Sequence, residues 1–118
     1  MATDARTVDY ILGQLSGVGG VTARRMFGEY GIWREGKVVA LVCDDQLFVK
    51  PTAPGRALAA DAIEAPAYPG AKPSLLIDAE RWDDREWLAA LIVATADALP
   101  APPAKRVRGS RRAEGKPA

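Results

Sequence analysis

Histidine is missing from this 118-residue chain. Its absence removes the imidazole on which Ser-His-Asp and Cys-His catalysis, most general-base schemes and many zinc sites depend. Cysteine occurs once, as Cys43, so neither an internal disulfide nor a thiolate metal cluster can form. Its place inside an apolar run marks it as a small buried side chain and not as a reactive thiol. No apolar run is long enough to span a bilayer, and Met1-Ala2-Thr3-Asp4-Ala5-Arg6 lacks the basic-then-apolar order of a secretory signal. A cytoplasmic protein is the expectation. The segment Gly17-Val18-Gly19-Gly20 is not followed by Gly-Lys-Ser/Thr, so it reads as a helix stop and not as a phosphate loop. The acidic pairs Asp44-Asp45 and Asp83-Asp84 already have structural explanations, one at a turn and one at a helix start. The chain is therefore read as non-enzymatic, with no catalytic residue, cofactor or metal.

What is present is enough for one domain: 118 residues, 48% of them hydrophobic, can bury a core without covalent staples. The net charge of +1 hides a division. Residues 105–118 carry Lys105, Arg106, Arg108, Arg111, Arg112 and Lys116 against Glu114, a net +5. The ten basic and fourteen acidic residues of 1–104 leave −4. Pro100, Pro102 and Pro103 stop any preceding helix, so 1–99 reads as the folded domain and 100–118 as a Pro-rich, basic, flexible tail. Such a tail can contact nucleic acid through counterion release without folding.

Along the domain, Val8, Ile11, Leu12 and Leu15 form one helical stripe, which Thr3 can cap, with Asp4 near the positive end of the helix dipole. From Val21 to Lys50 the period becomes near-alternating. Three apolar runs, Arg24–Trp33, Val38–Cys43 and Gln46–Lys50, predict an antiparallel meander, with hairpin turns at Glu35-Gly36 and Asp44-Asp45. Gly28 and Gly31 mark a bend or close approach in the first run. In the second run, Val39, Leu41 and Cys43 alternate with Val38, Ala40 and Val42, so both faces of that strand are apolar. Two expectations stand for Val38, Ala40 and Val42: a strip left open by the helices, or a face covered by the final helix. Between Pro54 and Pro66 a short helix is predicted with Leu58, Ala59, Ala62 and Ile63 on one side, and Ser74–Asp78 reads as a returning strand. Asp83 as N-cap, Glu86 three positions later and Trp82 stapled onto Trp87 open a final helix through Leu88, Leu91, Ile92, Thr95 and Leu99.

The words Arg25-Met26-Phe27-Gly28-Glu29-Tyr30-Gly31-Ile32-Trp33, Gly36-Lys37, Ala40-Leu41-Val42 and Asp44-Asp45-Gln46-Leu47-Phe48-Val49-Lys50 resemble the amino-terminal domain of the TfoX/Sxy family. Arg56, Tyr68-Pro69-Gly70-Ala71-Lys72-Pro73 and Trp82 fit the same pattern, and the resemblance covers about residues 5–99. It implies an α+β fold: a helix, a curved antiparallel sheet with a meander of three to four strands, a short helix, a returning strand and a carboxy-terminal helix. Full-length members are associated with regulation of natural competence and carry a second, helical domain. After Leu99 this sequence offers only the basic tail, so a stand-alone amino-terminal domain is expected.

Two modes of action follow from these residues. A regulatory adaptor would use an open sheet face for a protein partner or self-association. A nucleic-acid-associated regulator would use the tail, or the basic residues Arg24, Arg25, Lys50 and Lys72 interleaved with Tyr30, Trp33, Phe48 and Tyr68. The net acidic body argues against a broad phosphate-binding face.

Overall fold

A computed structural model describes residues 3–26 and 29–100. Helix α1 (Ala5–Gln14) leads into strands β1 (Val21–Met26), β2 (Glu29–Arg34), β3 (Lys37–Cys43) and β4 (Gln46–Val49). Helix α2 (Ala53–Leu58), strands β5 (Ile63–Pro66) and β6 (Pro73–Ile77), a single turn α3 (Ala79–Trp82) and helix α4 (Arg85–Ala98) complete the fold. The strands form one antiparallel sheet in the order β1-β2-β3-β4-β6-β5. The α+β expectation holds, with a sheet wider than the predicted meander.

Turn chemistry sets the register. Glu35 and Gly36 have φ of 51° and 84°, and Asp44 and Asp45 have φ of 53° and 59°. Both two-residue loops are left-handed throughout, the geometry that matches the twist of a hairpin. Both hairpins were legible in the sequence. Residues 51–66 were not: α2 ends at Leu58, and Ile63 begins an edge strand instead of closing a helix. The Thr52 hydroxyl accepts the Gly55 amide to start α2, and the Cβ that Gly55 lacks would stand 3.3 Å from the Thr95 hydroxyl of α4. That close approach seats the short helix on the long one.

The helix starts are each displaced by one residue from the sequence expectation. Asp4, not Thr3, caps α1 by accepting the Arg6 amide. Thr3 is buried and donates to the Val42 carbonyl at 3.1 Å, with Glu29 as a second partner. Asp84, not Asp83, caps α4 through the Trp87 amide at 3.1 Å, while Asp83 accepts from Tyr10. In each case the first of the two candidate residues has a tertiary partner and leaves the cap to its neighbour.

One continuous core joins Val8, Ile11 and Leu15 of α1 and Leu88, Leu91, Ile92 and Ala96 of α4 to Ile32, Val39, Ala40, Val42, Leu47, Val49, Leu75 and Ile77 of the sheet. Ala40, Val42, Leu47 and Val49 are fully buried. Cross-strand partners share a face, and the pairs Ala40↔Val49, Val42↔Leu47, Leu47↔Ile77 and Val49↔Leu75 carry this buried face across three strands. Of the two expectations for this set, the open strip is corrected and the covered face holds: Ala40 and Val42 face the helices. Both faces of β3 are apolar, so alternation could not choose the inward set, and a bulge separates Val38 from Ala40 and Val42, the register jumping from Ile32↔Ala40 to Trp33↔Val38. The extra residue, Val39, turns inward with Ala40, and strict alternation fails at that point.

Candidate functional site: the open face of the sheet

The residues that alternate with the buried set form a row straight across the sheet. Pairing runs Arg24↔Gly31, Gly31↔Leu41, Leu41↔Phe48, Phe48↔Leu76 and Leu76↔Ile63. None of these six belongs to the helix-side core. Four are large and apolar, and Ile63, at its end, is 69% exposed. At about 4.8 Å per strand, the stretch from Gly31 to Ile63 is roughly 19 Å long. Gly31 leaves its place in the row to a neighbour: a Cβ there would meet the Trp33 ring at 2.5 Å and the Met26 sulfur at 3.1 Å. The Trp33 indole therefore fills the gap, with the Arg24 guanidinium 5.4 Å from its ring centroid.

Two concavities lie on this face. One, about 440 Å³, is lined by Met26, Glu29, Tyr30, Leu41, Cys43 and Tyr68. The other, about 280 Å³, has Leu41 and Phe48 in its floor and Lys50, Tyr68 and Lys72 in its wall. Leu41 and Tyr68 line both, so the two concavities adjoin and together make the groove of this face. Tyr68 is 56% exposed and stands on the β5–β6 connection, where Gly70 takes a φ of 88° and the Ala71 amide bonds the Tyr68 carbonyl. That turn holds Tyr68 where the two concavities adjoin and Lys72 in the wall of the second.

Of the sequence-predicted contact residues, Lys50 and Lys72 meet in one cavity wall, and Arg24 stands at the far end of the row. Arg25 does not join them. It pairs with Tyr30, its guanidinium 6.0 Å from that ring, on the opposite side of the sheet from Arg24. Lys105, Arg106, Arg108, Arg111 and Arg112 lie outside the described residues, as does Gly28. Among the described residues, neither Lys50 nor Lys72 has a carboxylate within 4.0 Å, whereas Arg56, Arg81, Arg6 and Arg34 are all paired with acids. Glu29, the acid in the groove wall, is engaged by the Thr3 hydroxyl and the Asp44 amide. Ile63 and Leu76 were not anticipated as site residues. The alternation in Ile63-Glu64-Ala65 ahead of Pro66 was the available signal for a strand.

Cys43 is buried, and burial together with the Glu29 charge pushes its thiol up from the ordinary value. That suits a space-filling role. Trp82 and Trp87 are also structural: their indoles donate to the Ile77 and Leu58 carbonyls at 3.1 and 3.2 Å. Among the described residues no three His, Cys, Asp or Glu side chains cluster in a way that could hold a metal. No helix among them is long and apolar enough to cross a membrane.

The arrangement is a surface for contact, with an apolar floor, an aromatic post and unpaired cations. Its words are shared with other proteins. The model of the TfoX N-terminal domain matches residues 13–99. The "Uncharacterized 12.7 kDa protein in trpE 5′ region" of Spirochaeta aurantia is 35% identical over 113 residues, covering 92% of this chain and 93% of that protein. The six-stranded sheet and the closing helix lie within the matched span, which begins at the end of α1, and the chain belongs to the TfoX N-terminal domain family.

Proposed function

We propose that this protein is a non-enzymatic regulatory adaptor whose open sheet face receives a protein partner. The observation that carries this reading is the apolar row Leu41–Phe48–Leu76–Ile63, which crosses the face opposite to the helix-packed core and ends in a largely exposed isoleucine. An apolar stripe bounded by polar residues is the usual mark of a protein-interaction surface. The exposed faces of β1 and β5 offer a partner less. Edge strand β1 carries Arg24 and Arg25, and β5 is four residues long and ends in Pro66, both devices that discourage strand addition.

The test is a comparative pull-down with the full chain, the open-face variant Ile63→Asp/Leu76→Asp, and a chain ending at Pro100. Proteins retained by the full chain and by the shortened chain, and lost from the open-face variant, support the reading. Sedimentation over a range of concentrations separates self-association from capture of a different protein. Equal retention by all three chains would sink it.

A second reading, a nucleic-acid-associated regulator in the competence or transcription setting suggested by the family, is favoured by the six cations of residues 105–118. It assigns binding to the tail and predicts a steep salt dependence, which the apolar face would not show.

A further inference from the structure

The open face is not evenly charged, and its charge is opposite to that of the body. Residues 1–104 have a net charge of −4. Yet the two cations that line the groove, Lys50 and Lys72, have no carboxylate partner among the described residues. The acid Glu29 lines the other concavity, beside Cys43, where it accepts from the Thr3 hydroxyl and the Asp44 amide, and it makes no ion pair with Lys50 or Lys72. The exposed lysines therefore border the same cavity as Leu41, Phe48 and Tyr68, with no carboxylate partner among the described residues.

Resting on the adaptor reading, we propose that the groove takes a short acidic segment of a partner protein, its apolar side chains on Leu41 and Phe48 and its carboxylates against Lys50 and Lys72. Complementary charge selects the partner and fixes its direction, while burial on the row supplies adhesion. The row's length of roughly 19 Å suits about six residues of extended chain. A small ligand would want a more enclosed site than two shallow, joined concavities. A nucleic acid would place its phosphates beside the cations but would bring no aliphatic side chain to the row, and the acidic body would repel the rest of its backbone. A second copy of this chain would bring the same cations to the same rim.

The experiment uses the full chain, labelled with nitrogen-15, and three probes at low salt. The first is an acetylated nine-residue peptide alternating Glu with Phe or Leu. The second is the same peptide with Lys for every Glu, and the third is a nine-nucleotide oligothymidylate. The acidic peptide is expected to move the amide resonances of Leu41, Phe48 and Ser74 and to bind more tightly than its lysine twin. Lys50→Glu/Lys72→Glu should weaken it roughly tenfold and shift the preference toward the lysine peptide. Both sites are exposed, so this variant folds, which an unchanged spectrum elsewhere verifies. Equal binding of the two peptides at the same resonances overturns the charge assignment and leaves the adaptor reading standing. Shifts from the oligonucleotide but neither peptide overturn both in favour of nucleic acid. Silence of all three probes at these resonances overturns the acidic-segment proposal, and the pull-down with the Ile63/Leu76 variant then decides the adaptor reading independently.

Discussion

Single residues in this protein are explained by the partner each finds, and pH exposes one of them. The Asp4 carboxylate takes the Arg6 side chain at 2.9 Å and the Arg6 amide at the same distance, which holds its pKa at about 2 against an ordinary 3.8. A folded-state pKa below the unfolded one means that the contribution is complete above about pH 4 and is lost as the pH falls toward 2. Exchange protection of the first α1 amides should fall over that window, and Asp4→Asn should flatten the dependence. Cys43 behaves in the opposite sense, since burial keeps the thiol protonated. A thiol reagent at pH 8 should label the native protein far more slowly than the protein in denaturant; equal rates would mean that the open face does not cover Cys43. Gly31 is a third case. Gly31→Ala should displace the Trp33 ring and alter tryptophan emission, because the missing Cβ is the space the indole occupies.

At the scale of elements, the cap and the bulge explain what the sequence could and could not disclose. The hairpins at Glu35-Gly36 and Asp44-Asp45 were legible because two-residue turns impose a local geometry that the residues themselves announce. The starts of α1 and α4 were legible only to within a residue. Each offers adjacent capping residues, Thr3-Asp4 and Asp83-Asp84, and the choice was made by distant partners, Val42 and Tyr10. Asp84→Ala should therefore cost about 1 kcal/mol in urea unfolding, as loss of an N-cap does, while Asp83→Ala should cost much less because it gives up only an exposed contact with Tyr10. The inward and outward faces of β3 could not be told apart because both are apolar, and the bulge that moves Val38 away from the Ala40 and Val42 set carries no compositional mark. Lys50 and Lys72 were identifiable as cations beside the family's words, but their meeting depends on β4 lying next to β6. Ile63 was invisible as a site residue while it was assigned to a helix.

Across the whole molecule, charge and burial are divided so that one experiment can separate the two modes of action. Among the described residues every buried one lies between Thr3 and Ala96, and the core that joins α1 and α4 to the sheet is built from this stretch. Removing residues 105–118 should therefore leave the denaturation midpoint essentially unchanged, while it takes away six of the sixteen basic side chains. The body then carries −4, and its cations on the open face are separated from the tail in sequence and differ from it in setting, being seated beside apolar side chains. If the tail engages duplex DNA, the full chain should bind with a logarithmic salt slope no steeper than about −5, set by the six cations available. The shortened chain should lose that binding and keep its affinity for the acidic peptide. Retention of salt-sensitive DNA binding by the shortened chain would move the nucleic-acid contact onto the sheet, to Arg24, Lys50 and Lys72, and Lys50→Glu/Lys72→Glu in that background would then abolish it. Loss of the peptide on truncation would instead make the tail part of the groove's partner contact. The division of charge between body and tail thus predicts two separable ligands, with the groove reading apolar and acidic groups together and the tail reading charge alone.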